Sequence, residues 1–376
     1  MEKQLIEIIT KLVSYPTVSP VGNEYLCQKY LQKILKKLNA EVTIMAKDKK
    51  RPNVIAEWGK GSKSLVIALH MDVVEVGKAW KDNPFKVRTS KGYLIGRGVL
   101  DDKGPYAVAY LAVKKFLKDY PKFTGKLYLV ALADEEADNV FGVKYLLTRK
   151  FKAAAALIPD GGSLKELDVG EKGCVQLKIF SYGKQEHSAL QENGNNAIEN
   201  ILSVMNEIKK MTWSNKYDQS FSPTKVNFSL IKGGSFPNSI AAQCFVQMDI
   251  RYPFGFTSKY VLDKVNEVIS RAKKTNPRSK YKIEIVYKTE PHKVENIKLI
   301  KQFLKAGENI NLKIKPITLA GNSVGKEFTE GGIPAIVHYP SSILTPHEPE
   351  EKIKINDYLK GIELYYQFLK LYFEQE

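Results

Sequence analysis

Apolar positions in the first part of the chain follow two different periods. Leu5, Ile8, Ile9 and Leu12 recur at the three- and four-residue spacing of a helix with one buried face, as do Cys27, Tyr30, Leu31, Ile34, Leu35 and Leu38. Three short unbroken apolar runs follow, at residues 65–69, 127–132 and 154–158. Each is bounded by polar residues or by Gly and Pro, the pattern of a parallel strand covered on both faces. Between the first two, Gly104-Pro105 opens a helix, where Pro is tolerated because first-turn N–H groups have no partner within the helix. Helices alternating with buried strands predict an α/β domain built on a central, mostly parallel sheet.

From about residue 171 the pattern changes. Residues 174–180, 226–231, 243–250 and 281–287 alternate like half-exposed strands, while 197–211 and 261–272 have helical spacing. The order β-α-β-β-α-β predicts a ferredoxin-like α+β insert. The α/β pattern then resumes and ends on a helix over 357–373. The expected organisation is an α/β domain from 1–170 and 291–376, interrupted by an α+β insert at 171–290.

Composition narrows the class. With 43% hydrophobic and 26% charged residues, the chain reads as an ordinary soluble globular protein. None of the apolar runs could span a bilayer, and no signal-peptide pattern precedes the first helix. Three widely spaced cysteines, Cys27, Cys174 and Cys244, fit free thiols in the cytoplasm better than a disulfide framework. The net charge of +17 raises the question of nucleic acid. The excess, however, is lysine spread in short pairs such as Lys36-Lys37 and Lys273-Lys274, not an arginine-rich face with interleaved aromatics. Solvated helix surfaces account for it, with some steering of anionic substrates.

In open α/β sheets ligands bind beyond the carboxyl ends of the strands. The first apolar run is followed by His70-Met71-Asp72, the second by Asp134-Glu135-Glu136 and the third by Pro159-Asp160. Gly96-Arg97-Gly98-Val99-Leu100-Asp101-Asp102-Lys103-Gly104 puts a further carboxylate at the mouth of the intervening helix. Taken singly these motifs are weak, and Asp134-Glu135-Glu136 alone would read as a charged helix start favoured by the macrodipole. Together they converge on one sheet edge, where bare carboxylates would repel one another strongly. Divalent metal removes that repulsion. One imidazole with oxygen ligands and no thiolate suits zinc, cobalt or manganese. The ligands outnumber what one tetrahedral ion with an open position needs, so two ions about 3.5–4 Å apart sharing a carboxylate are expected. The best second histidine is His347, in a loop after the strand-like residues 335–339.

These motifs resemble those of the zinc metallopeptidase family that includes dipeptidase V, carnosinase, acetylornithine deacetylase, succinyl-diaminopimelate desuccinylase and aminoacylase. The resemblance covers essentially the whole chain. It extends through the insert in His187-Ser188, Glu192-Asn193-Gly194, Asn196-Ala197, Asn238-Ser239-Ile240 and Asp249-Ile250-Arg251, and is completed by His347 with Glu351. Glu171-Lys172-Gly173 and Glu290-Pro291-His292 look most like the dipeptidase V branch.

The resemblance implies that His70 and Asp160 hold one metal, Glu136 and His347 the other, and that Asp101 bridges them. It implies that Asp72 orients His70, that Glu135 is the general base, and that His187 donates to the oxyanion. Asn238 and Arg251 would hold a substrate carboxylate, guanidinium suiting that task through paired hydrogen bonds. Asp102 would not share the role of Asp101, and His292 and His338 would be structural. Where such enzymes carry a Gly-Gly-Thr-type turn, this chain has Ala320-Gly321-Asn322-Ser323, a departure at a position of carboxylate recognition.

The expected activity is cleavage of dipeptides or short peptides by a homodimeric di-metal hydrolase. Asp160, where the family's deacylases often carry Glu, favours a peptidase. An N-acyl amino acid deacylase with the same machinery is the alternative. A catalytically inactive binding protein is a third reading, disfavoured by the intact base and ligands. Neither a membrane nor a nucleic-acid partner is expected.

Overall fold

The computed structural model describes residues 1–137 and 139–374, which divide into two compact units. The first contains Met1–Val169, Val294–Ile317 and 322–374; the second contains Gly170–Lys293 and Thr318–Gly321.

The first unit is organised by a sheet whose strands run in the order Glu41–Met45, Asn53–Trp58, Thr124–Leu132, Lys60–His70, Ala155–Ile158, Ala335–Val337, Glu166–Glu171. Its four central strands are parallel, and the flanking pairs are antiparallel. The antiparallel margin at Glu41–Met45 has no unbroken apolar run, because that strand is largely exposed. Side chains leave the central strands alternately to opposite faces. Leu65, Ile67, Leu69, Leu127 and Leu129 enter one core, whereas Val66, Ala68, Tyr128 and Val130 enter another. The helices Glu2–Val13, Tyr25–Lys36, Lys103–Asp119, Ile297–Glu308 and Ile355–Phe373 cover the first face. Val143–Thr148 and Val324–Glu330 cover the second. Each large aliphatic side chain so buried contributes about 1.5–3 kcal/mol.

Gly104 lies in the first turn of Lys103–Asp119, where a Cβ would meet the Val99 carbonyl oxygen at 1.8 Å. Only glycine lets this helix start so close to the loop before it. Asp134-Glu135-Glu136 is not a helix start: it forms a turn, Asp134 has φ +64°, and the next helix begins at Val143.

The second unit has the β-α-β-β-α-β order. Its antiparallel strands are arranged Lys225–Gly233, Gln243–Tyr252, Gly173–Tyr182, Lys280–Thr289. One sheet face, with Val175, Leu177, Ile179, Val246, Met248 and Ile250, packs on Ile201 and Val204 of Ala197–Lys210 and on Val261 and Val265 of Ser258–Thr275. Asn196 and Thr257 cap these helices by accepting from the N–H of Ile198 and Tyr260. Among the described residues no helix is long and apolar enough to cross a membrane.

Candidate metal centre

The parallel strands of the first unit end together and carry the candidate ligands beyond their carboxyl ends. His70 is the last residue of its strand and is buried; its Nε2 lies 2.9 Å from Asp101 Oδ1. His347 approaches from the opposite side, Nε2 standing 3.2 Å from both Asp101 Oδ2 and Glu136 Oε2. Asp101 therefore lies between two imidazoles, one on each carboxylate oxygen. His70, Asp101 and Glu136 present ligand-capable atoms all within 4.8 Å of one another, and so do His70, Glu135 and Asp160. Asp160 accepts a 2.8 Å hydrogen bond from the Tyr339 hydroxyl.

Electrostatics of the cluster explain what it requires. Desolvation and neighbouring carboxylates push Glu135 well above the ordinary range, raise Glu136, and bring Asp160 to about 8. Hydrogen bonds to Asp101 and Glu136 raise His347 to about 10. Burial works against charge on His70, but its hydrogen bonds to Asp101 and Asp72 prevail and hold it well above its usual value. Burial likewise opposes the Asp101 charge, yet the hydrogen bonds from His347 and His70 keep it low. Glu136 Oε1 is buried with no hydrogen-bond partner. An orphaned carboxylate oxygen among mutually repelling acids is what a divalent cation would satisfy. The donor set of imidazole and carboxylate without thiolate fits such ions.

Asp72 holds the base-bearing turn as well as facing the histidine. Its Oδ1 and Oδ2 accept the N–H groups of Glu135 and Glu136, each at 3.0 Å. The nearer acceptor for His70 Nδ1 is the Asp72 backbone carbonyl at 3.1 Å, the carboxylate being at 3.6 Å. Asp102 belongs to neither ligand group; its Oδ2 accepts the His70 N–H at 3.2 Å.

Several residues here carry no signal in the sequence. Arg51 is buried and joins Glu24 at 2.7 Å, Asp134 at 2.5 Å and Asp72 at 3.7 Å. Lone acidic and arginine residues far apart in the chain have no periodicity that would link them. Tyr339 could have been noticed, because it closes the strand-like residues 335–339 as His70 closes its own strand. A cavity of about 770 Å³ lined by Leu38, Trp58 and Phe123 includes none of these residues, and among the described residues no ligand cluster lies on its walls.

In the second unit, His187 caps the short 3₁₀ segment Ser188–Asn193, its Nδ1 accepting from the Ala189 N–H at 3.2 Å. The Ser188 N–H donates to the Asn238 carbonyl at 3.0 Å, which brings His187 and Asn238 side by side, both exposed. Arg251 stands elsewhere on the sheet, its guanidinium forked onto Asp249 at 2.9 and 3.2 Å. Arg251 Nη1 also lies 3.4 Å from the Ala320 carbonyl oxygen. In the first unit, Asn322 accepts from Lys326 at 2.7 Å and Ser323 caps Val324–Glu330. Val99 and Leu100, bulky residues ahead of Asp101, are buried in the core.

An α/β sheet with carboxylates and histidines gathered at its strand ends, in a chain that also carries an inserted α+β unit, is the arrangement of a metal-dependent hydrolase. Residues 66–371 match the model of peptidase family M20/M25/M40, and the chain belongs to that family. It is 30% identical to a succinyl-diaminopimelate desuccinylase of Wigglesworthia glossinidia brevipalpis, over 97% of this chain and 98% of that one. Its fold is similar to that of an aminopeptidase from Bacillus cereus, with TM-score 0.82 and 20% identity over 100% of this chain and 99% of that one. A dinuclear metal-binding peptidase of family M20 from Bacillus subtilis is similar at TM-score 0.76 and 12% identity, over 98% of this chain and 97% of that one.

Proposed function

We propose that this M20-family hydrolase cleaves the amide bond of dipeptides or short peptides with a free amino terminus, using Glu135 as general base. The observation that carries the reading is the position of Glu135 beside His70 and Asp160, with its backbone held by Asp72. His70 and Asp160 would hold one ion, Glu136 and His347 the other, and Asp101 would bridge, with zinc the first choice and cobalt or manganese alternatives. Two such ions would supply Lewis acidity and lower the pKa of a bound water toward ~7. Glu135 takes a proton from the attacking water and returns it to the leaving amine. Asp72 keeps the Glu135 backbone fixed while this happens. Asp160, rather than Glu, supports a peptidase.

The second unit is read as a lid. His187 would donate to the developing oxyanion, and Asn238 and Arg251 would face the substrate carboxylate, Arg251 exchanging its hold on Asp249 for the ligand. A lid of one β-α-β-β-α-β unit supports a two-fold homodimer in which His187 serves the partner's site. Three buried cysteines outside any disulfide support a reducing compartment, the cytoplasm.

The second reading, an N-acyl amino acid deacylase, is favoured by the desuccinylase relative. A panel of dipeptides and tripeptides assayed beside N-acetyl and N-succinyl amino acids separates the two. Higher kcat/KM on free-amine peptides is expected; the reverse order would assign the enzyme to the deacylases.

A further inference from the structure

Two buried residues of the first unit, Arg97 and Glu351, connect loops that are far apart in sequence. Glu351 is fully buried and Arg97 is 1% exposed. Glu351 Oε1 accepts the backbone N–H groups of Gly98, Leu100 and Asp101 at 3.0, 2.7 and 3.1 Å. Its Oε2 accepts from Arg97 Nη1 at 2.8 Å and from the Gly98 N–H at 3.2 Å. The other arm of the guanidinium, Nη2, donates to the His347 carbonyl at 3.2 Å and to the Glu75 carbonyl at 3.4 Å. The Trp80 ring lies against the guanidinium, 5.3 Å from centroid to Cζ.

Geometry makes this more than a buried ion pair. The carboxylate gathers the N–H groups of a tight loop, the last belonging to Asp101 itself. Gly98 adopts φ +86°, and a Cβ there would stand 3.1 Å from both Lys103 Cδ and Val73 Cγ1. The loop thus curls around Glu351 only because it has glycine at that point. Through Arg97 the same assembly grips the backbone of His347, whose φ is +67°. A guanidinium can face a carboxylate and a carbonyl at once, which a lysine ammonium on its flexible stem does not reproduce.

We infer that Arg97 and Glu351 are positioning residues that set the Asp101 carboxylate and the His347 imidazole at the spacing one ion requires. The inference rests on the reading above, in which both side chains are ligands. The pair acts on the ion held by Asp101, Glu136 and His347 more than on the one beside His70 and Asp160, because only the former draws on both loops.

Arg97→Lys provides the test: it keeps a cation for Glu351 but not the fork to His347. On metal-stripped protein, stepwise zinc affinities are measured against a chromophoric chelator, with circular dichroism and the thermal midpoint recorded in parallel. The equivalent that His347→Ala removes should lose about 10–100-fold in affinity and the other less than about threefold. The stripped protein should keep its spectrum, and kcat should recover as zinc is raised. Glu351→Gln, close in shape, should move affinity in the same direction and serves if Arg97→Lys fails to fold. His347→Ala run alongside separates two failures. If it leaves both affinities intact, the ligand reading is wrong and the inference goes with it. If it loses one equivalent while the Arg97 and Glu351 variants hold that equivalent at full affinity, only the positioning role is overturned. Equal loss of both equivalents together with the folded spectrum in both variants would make the pair a structural clasp and overturn it as well.

Discussion

Asp72 Oδ1 stands 3.0 Å from the backbone nitrogen of Glu135, so the residue facing His70 also fixes the turn that carries the proposed base. Asp72→Asn leaves the side chain's size intact but replaces one acceptor oxygen with a donor. An unpaired N–H in such a site costs about 1–3 kcal/mol. The expected result is a kcat lower by about 10–100-fold with KM little changed, read from steady-state kinetics at saturating metal.

Glu135→Gln keeps the shape and removes the proton acceptor. Turnover should fall by about 10²–10⁴ while metal content stays near that of the wild type. A variant that retained more than about a tenth of the activity would exclude Glu135 as the base.

Metal removal should affect both activity and stability. A strong chelator should abolish turnover, and zinc, cobalt or manganese should restore it, with metal analysis approaching two ions per chain. The carboxylates raised by burial and then by their neighbours' charge, Glu136 and Asp160 among them, are relieved when a cation binds. At a thousandfold excess over Kd the gain is about 4 kcal/mol, so the thermal midpoint should rise on metal addition.

Trans action of His187 can be tested by mixing subunits. Glu135→Gln and His187→Ala homodimers should each be nearly inactive, and exchange should form heterodimers with one intact site. Partial return of activity after proven exchange is expected. An active species that sediments as a monomer would exclude the trans arrangement.

His338 gives a pH prediction that does not depend on metal. It is fully buried, contacts the Tyr365 hydroxyl at 3.1 Å and the Leu164 carbonyl at 3.3 Å, and desolvation lowers it to about 4. In the unfolded chain it titrates near its ordinary 6.5. A depressed folded value means that the unfolded state binds the proton first. Its stabilising contribution is therefore complete above about pH 6.5 and is lost as pH falls toward 4. The difference is on the order of 3 kcal/mol. Urea unfolding of wild type and His338→Gln at pH 7 and pH 5 should show a steeper loss for the wild type.

The strands that carry His70, the Asp134–Glu136 turn and Asp160 are legible because burial on both faces demands unbroken apolar runs, and loop chemistry then follows at their ends. The insert is legible because its sheet has one face open to solvent and so alternates. The margin strand Glu41–Met45 is not, since an exposed strand needs no apolar signature. Arg51 escapes for another reason. Its meaning lies in three acids drawn from positions 24, 72 and 134, and such pairing exists only once the chain is folded. Arg97 and Glu351 both fall within recognisable motifs, but nothing in the motifs indicates that one holds the other.

The strand Ala335–Val337 lies in parallel register beside Ala155–Ile158, with the whole second unit encoded between them. A ribosome releases the chain from one end, so Ala155–Ile158 emerges with one of its two neighbours still unmade. Its apolar edge must wait through the synthesis of more than a hundred residues, which form a unit with a core of its own and can fold in the meantime. His347 emerges later still. A truncated or prematurely released chain therefore carries His70, Asp101, Glu136 and Asp160 without the histidine that completes the cluster. Completion of the first core likewise waits on the helix Ile355–Phe373, about three turns of which are buried against it by Tyr358, Ile362, Tyr365 and Leu369.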